Sequence, residues 1–270
     1  VLCIDRAINA ESHKGVIFYS LEDIKETEGY KAITEKYAQQ RDKYRWSLKP
    51  VFLMYLLHGK AEKVIYVDND IYFYSDPGFL FDLLEQHDIL LTPHHYPRDP
   101  KKEQNWLEAN YRVGLYNAGF VAVNRNAYAS MKWWGECCAY RCEKNALRGT
   151  FDDQKYLDLV PVINEKAHIV RHKGCNVAEW NRSVISRTAG NDGHVMLDGK
   201  YPLVFVHYNH TTIRAIYSGD EPCLEMTWEL YLQNLKKYRP EIEPKEMYRP
   251  DKWIDRMKYY IWKVATELNM

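Results

Sequence analysis

An α/β layered fold is what this chain predicts, on three observations. Short apolar runs alternate with helical patterns through its first two thirds, as expected of strands stacked against helices. The run at 64–67 passes directly into Asp68-Asn69-Asp70, the form of a strand buried on both faces that ends at a sheet edge. With 270 residues, 46% hydrophobic and 27% charged, the chain can enclose one large core or two modest ones.

The elements follow in order. Residues 1–4 and 16–19 read as strands, and 21–40 as a polar, helix-rich segment. A helix over 46–57 leads into the strand Lys63–Val67, and a short helix over 78–85 follows. Residues 88–91 and 120–123 form further strands, separated by a polar loop over 93–113. Loops of that length are usually functional or mobile. A helix rich in Trp and Cys covers 125–146, and strands at 168–170 and 203–206 complete the set. From Leu224 onward the pattern is helical, aromatic and basic, as at 236–239 and 257–263. This divides the chain into an α/β unit over 1–222 and a helical extension over 223–270. A basic amphipathic helix can lie on a membrane surface; the plainer reading packs it on the domain with its lysine stems exposed. Because a strand-like run starts at residue 1 with no turn or cap before it, an earlier, central strand is expected to be missing.

Composition excludes some classes. Lys plus Arg equals Asp plus Glu at 37 each, so no global basic field argues for nucleic acid. The six cysteines, including the adjacent Cys137 and Cys138, show neither metal-finger spacing nor a secreted disulfide pattern, which predicts a reduced, cytoplasmic compartment. No apolar run is as long as a membrane span and no signal peptide is visible. The sequons at Asn181 and Asn209 then read as chance.

Candidate chemistry gathers at the aspartates. Asp68 and Asp70 lie two positions apart, so their carboxylates point the same way on extended backbone. At the carboxyl end of a strand in an open α/β sheet, two hard oxygen donors suit Mg²⁺ or Mn²⁺ carrying a substrate's phosphates. The plainer reading is a solvated turn. Asn117 offers an amide at the start of the next strand and Gly119 permits close backbone approach, or the two simply form a turn. Asp152 and Asp153 begin a helix and suit capping, whereas Gln154 adds an amide that capping does not require. The strand at 203–207 ends on His207, with Asn209 and His210 behind it. A lone histidine there is more often structural; after two aspartates it is a candidate third ligand.

Taken together, Asp68-Asn69-Asp70, Asn117-Ala118-Gly119-Phe120, Asp152-Asp153-Gln154 and Phe205-Val206-His207 resemble the nucleotide-diphospho-sugar transferases of the GT-A fold, nearest to glycosyltransferase family 8. The resemblance covers roughly Tyr44 to Thr211. It implies a Rossmann-like, mixed but mainly parallel sheet with flanking helices. It further implies that Asp68, Asp70 and His207 hold Mn²⁺ or Mg²⁺ on the diphosphate of a nucleotide-sugar donor. Lys49, Asn69, Asn117 and Asp153 would contact the donor, and Gln154, with Asp153, would lie at the anomeric carbon. The family's first strand has no counterpart here, and its usual glycine after the histidine is replaced by Asn209-His210-Thr211.

Such an enzyme would pass a sugar to a saccharide or other hydroxyl acceptor. Gln154 is an amide and cannot act as a base, which implies retention of anomeric configuration. Two other readings stand beside it: a metal-dependent phosphohydrolase, which usually needs a further carboxylate or second metal, and a non-catalytic carbohydrate-binding or scaffold protein.

Overall fold

The computed structural model describes residues 1–5, 15–190, 192–243 and 247. Three helices come first, α1 (Leu21–Ile24), α2 (Tyr30–Tyr37) and α3 (Arg41–Leu57). Strands β1 (Lys63–Val67) and β2 (Ile71–Phe73) flank the Asp68-Asn69-Asp70 turn. Then come α4 (Gly78–Leu83), β3 (Ile89–Pro93), α5 (Gln104–Arg112), β4 (Tyr116–Asn124) and α6 (Tyr128–Tyr140). A 3₁₀ turn over Gln154–Leu159 runs into α7 (Val160–Ile163) and β5 (Ala167–Ile169). The short strands β6 (Arg187–Ala189), β7 (Val195–Leu197) and β8 (Tyr201–Pro202) precede β9 (Phe205–His207), α8 (His210–Tyr217) and α9 (Glu225–Lys236).

The α/β class and the mixed sheet are as expected. The main sheet has strand order β1-β4-β3-β5. Strand β5 lies parallel to β3, while β4 runs against both β1 and β3. Fewer of the described pairs are parallel than a mainly parallel sheet would have. The cause is α5. It does not carry the chain back across the sheet, so β4 starts beside the end of β3, with Pro93 paired to Tyr116. A parallel pairing would need a full crossover.

The strand buried on both faces is β4 rather than β1. All of β4 except Asn124 is buried, because it has a neighbour on each side. Phe120 and Ala122 enter one apolar cluster with Leu90, and Val121 and Val123 enter another with Ile89 and Leu91, the period-two alternation of a two-faced strand. Strand β1 sits at the edge of the sheet and is only half-buried, with Val67 exposed. Residues 1–4 and 16–19 form a single parallel bridge between Leu2 and Tyr19 rather than two strands.

Helix α3 covers one face of the sheet. Its buried positions Tyr44, Ser47, Leu48, Val51 and Met54 recur three and four apart, which makes the apolar stripe of a core-facing helix. It packs against α6 through Met131, Trp134 and Cys138. The helix read over 125–146 is α6, preceded by a 3₁₀ turn over Arg125–Ala127. The loop read over 93–113 contains α5, whose Trp106 and Ala109, with Val113 just beyond, pack on Tyr96 and Trp180. Prolines 93, 97 and 100 mask that helical spacing.

Helix α9 buries Trp228 and Tyr231 in a cluster with Tyr208 and Ile213. The basic stretch at 257–263 lies outside the described residues. No helix among the described residues is long and apolar enough to cross a membrane. None of the six cysteines is in a disulfide.

Candidate functional site

The Asp68-Asn69-Asp70 turn joins two ladders. The Asp68 amide still donates to Gly119 O at 2.8 Å, continuing the β1–β4 pairing. Past the turn, β2 pairs antiparallel with β9, Ile71 standing opposite His207, and Tyr208 N donates to Asp70 O at 2.7 Å. The two aspartates and His207 are thus delivered to one point by two different sheets. One ligand atom from each lies within 4.8 Å of the others.

The donor set fits a divalent cation. Asp70 Oδ1 is buried with no well-formed hydrogen bond, a costly state that a cation in contact with it relieves. His207 Nε2 stands 3.1 Å from Asp70 Oδ1. Burial pushes the Asp70 carboxyl up, and the adjacent His207 outweighs it, so the net position is below the usual carboxylate range. Two carboxylates and an imidazole suit a hard or borderline metal ion.

Asp68 is held from behind. Its Oδ1 accepts from Tyr66 OH at 2.6 Å and lies 3.2 Å from Lys49 Nζ. Its Oδ2 faces Gly119, where a Cβ would stand 3.1 Å from it and only 2.6 Å from both His207 Cε1 and Asn117 Oδ1. Real Cβ atoms essentially never approach that closely. Glycine at 119 is therefore what lets Asp68, His207 and Asn117 converge.

Lys49 is buried at 6% exposure. Besides Asp68 it meets Asp153 Oδ2 at 3.2 Å, and it donates to Ala118 O at 3.1 Å. Burial acts against its charge, but Asp153 and Asp68 hold it protonated, well above the ordinary lysine value. Asp153, also buried, is pushed up to about 6 by burial, with Lys49 opposing. Helix α3 interrupts its own hydrogen bonding here, since Pro50, the residue after Lys49, has no N–H to offer the Trp46 carbonyl.

A pocket of about 260 Å³ opens beside this cluster, lined among others by Trp46, Lys49, Asp68, Asn117, Asp153, Gln154 and His207. Asn117 is fixed by two contacts. Its Oδ1 accepts from Gly119 N at 2.7 Å, and its Nδ2 faces His94 Nε2 at 3.2 Å. His94 Nδ1 lies 3.0 Å from Gly114 O, which can only accept, so Nδ1 carries the proton and Nε2 receives the Asn117 N–H. Burial pulls His94 down to about 3, so it stays neutral. The Gln154 amide is held by backbone at both ends: Oε1 accepts from Ala118 N at 3.1 Å, and Nε2 donates to Val113 O at 3.3 Å. One N–H and one lone pair remain to it.

Of the residues singled out from sequence, Lys49, Asp68, Asn117, Asp153, Gln154 and His207 share this pocket wall, and Asp70 joins Asp68 and His207. Asn69 is exposed and lines a larger groove along β1 instead. Sequence reading missed His94, Tyr66 and Lys144. The Lys144 ammonium lies 4.8 Å from the centre of the Phe151 ring and 5.2 Å from that of Trp46, and pairs with Asp152 at 3.4 Å. Two histidines directly after β3 were a visible signal for the first; the others carry no local signature.

No protein-family profile matches the chain. It is similar to two uncharacterized proteins of Bacillus subtilis (strain 168). YfnD is 28% identical over 262 residues, covering 90% of this chain and 81% of YfnD. YfnF is 28% identical over 218 residues, covering 74% and 69%. Among solved structures, the apo form of mouse xyloside xylosyltransferase 1 overlays at a TM-score of 0.43 and 14% identity, covering 73% of this chain and 76% of that one. A likeness so shallow assigns neither fold nor function.

Proposed function

We propose that this chain is a metal-dependent glycosyltransferase that takes a sugar from a nucleotide-diphosphate donor, with retention, and passes it to a hydroxyl acceptor. The observation that carries the reading is the Asp68, Asp70 and His207 cluster, its ligand atoms within 4.8 Å of one another, at the edge of a pocket walled by two oriented amides. At about 260 Å³ the pocket is smaller than those that take drug-sized ligands, which suits one sugar ring.

In this reading Asp68, Asp70 and His207 hold Mn²⁺ or Mg²⁺, which when bound would offset charge developing on the departing diphosphate. Tyr66 and Lys49 fix the Asp68 carboxylate in place, as partners of metal-binding carboxylates do. Asn117, locked by His94, turns its amide toward the donor sugar's hydroxyls. Asp153 keeps Lys49 charged and contributes an acceptor from the wall. Gln154 stands as a fixed dipole beside the reacting carbon, unable to take a proton, so the acceptor's proton passes to the leaving phosphate.

The phosphohydrolase reading fares less well, because the next carboxylate, Asp153, is tied to Lys49 instead of free to hold a second metal. The test is calorimetry of nucleoside diphosphates with and without Mn²⁺, followed by turnover of nucleotide sugars with and without a saccharide acceptor. Metal-dependent binding that disappears in Asp70→Ala, with acceptor-dependent turnover, is expected. Turnover indifferent to acceptor would favour hydrolysis, and no metal-dependent binding would leave a scaffold.

A further inference from the structure

Just past β5 the chain reads Arg171-His172-Lys173, and the pairing of the main sheet fixes what these residues face. Strand β5 runs parallel to β3, and Val170 N still donates to Leu91 O at 2.9 Å. The chain leaving β3, with His95 and Arg98, therefore emerges beside the chain leaving β5. Ligands of open α/β sheets bind at such carboxyl ends. On extended backbone, successive side chains take opposite sides. His172 takes one, its ring 5.3 Å from that of Phe79 and 4.9 Å from that of Tyr201. Lys173 takes the other, with Nζ 3.4 Å from His95 Nδ1, and Arg171 shares its side. Arg98 completes the group, since Arg98 and Arg171 both bear on the charge of Lys173 and of His95.

These three cations lack counter-charge. None forms an ion pair with a described carboxylate. Asp198, the carboxylate that bears on them, is exposed and already accepts from Ser186 N at 2.8 Å and Ser186 Oγ at 3.2 Å. His95 adds no charge of either sign. Burial, helped by Lys173 and Arg98, brings it down to about 4, so its ring is neutral and Nδ1 accepts from the lysine. Burial and the repulsion of Arg98 and Arg171 also pull half-buried Lys173 below its ordinary value. Like charges held together in this way are at a cost that an anion among them removes.

We propose that Arg98, Arg171 and Lys173 form a binding site for a phosphate monoester. Two guanidinium forks and an ammonium match the oxygens of a phosphate, which arginine binds in bidentate fashion. Set against Asp198, the three cations leave a surplus of two charges, which a monoester of about −1.5 to −2 near neutral pH balances. A carboxylate would meet only half of it. Arg98 and Arg171 are exposed, leaving the site open on the side where the rest of an ester must lie. The site is separate from the metal centre: His94 faces Asn117 in the pocket, whereas its neighbour His95 faces Lys173. This inference does not rest on the transferase reading.

Calorimetry with glucose 6-phosphate as the probe tests it, in a chelator so that no metal contributes and at about 0.15 M salt, where diffuse attraction is screened. Binding is expected, weakened about tenfold or more in Arg98→Gln and in Lys173→Gln and unchanged in Asp70→Ala. Arg98→Gln alters only an exposed side chain, so the test survives if Lys173→Gln fails to fold. Inorganic phosphate and acetate should bind more weakly than the monoester. No binding of the monoester overturns the proposal. So does an equal loss in Lys31→Gln, an exposed lysine of α2, which would mean diffuse charge attraction. Tighter binding of inorganic phosphate would make this a site for the free ion, and a loss in Asp70→Ala would put the phosphate at the metal centre. Either also overturns it.

Discussion

Replacing Lys49 by methionine should separate the electrostatics of this site from its packing. The side chain is buried, 3.2 Å from both Asp68 and Asp153, and bonded to Ala118 O. Removing one member of a buried ion pair leaves uncompensated charge and costs ~3–5 kcal/mol. For a chain of this size that corresponds to a fall in Tm of roughly 6–20 °C. The pH dependence carries the finer test. Asp153 is raised by burial to about 6, against about 3.9 in an unfolded chain. The folded state therefore holds the extra proton between those values, and stability falls as pH rises through that window. Lys49 stays charged throughout, so it adds no slope there. In Lys49→Met the cation that opposes Asp153's rise is gone, and the decline extends above pH 6. The variant's deficit should thus be smaller at pH 5 than at pH 8, by urea unfolding at both. A deficit below about 1 kcal/mol at pH 8, or one equal at the two pH values, would refute the reasoning.

Gly119→Ala should weaken Mn²⁺ binding by about 10–100-fold, because its Cβ would meet His207 and Asn117 at 2.6 Å; calorimetry at an unchanged far-UV spectrum checks it. Gln154→Ala should lower kcat and kcat/KM together, whereas a purely structural role would cost ~1–3 kcal/mol through the orphaned Ala118 N–H and preserve turnover per folded molecule. His94→Leu should destabilise the protein by ~1–3 kcal/mol at neutral pH by stripping Asn117 of its acceptor. Because burial depresses His94 to about 3, its contribution is present above pH 6.5 and lost as pH falls toward 3, so this variant's deficit should shrink on acidification.

The legible parts of the fold were those written in local periodicity. Lys63–Val67 was bounded correctly because an apolar run meets two aspartates, and α4 starts at Gly78 as read, framed by Pro77-Gly78, but ends at Leu83 rather than at residue 85. Strands β2 and β6–β8 have three residues or fewer, too short for alternation to register. Burial was less legible than strand identity: β1 and β4 both read as apolar runs, and only the strand order makes one an edge and the other a centre. Within the site, Asp68, Asp70 and His207 could be proposed from strand ends. The Lys49–Asp153 pair, 104 positions apart, could not be derived from any periodicity, since pairing of that kind depends on how α3 lies over β4.

The placement of the three donors has a physical consequence. Asp68 belongs to the β1–β4 ladder, whereas Asp70 and His207 belong to β2–β9, so nothing in either ladder alone holds the cluster together. Lys49 neutralises part of the charge from the α3 side, and Asp70 meets His207. A divalent cation bridging these groups would tie the two sheets at their seam. A ligand bound only by the folded state at a hundred times its Kd adds ~2.7 kcal/mol. That stabilisation should fall on β2 and β9 as much as on β1 and β4. Mn²⁺ alone is therefore expected to slow amide exchange at Ile71 and His207 in parallel with Asp68. Slowing confined to Asp68 would mean that the cation binds the aspartate turn and leaves His207 out.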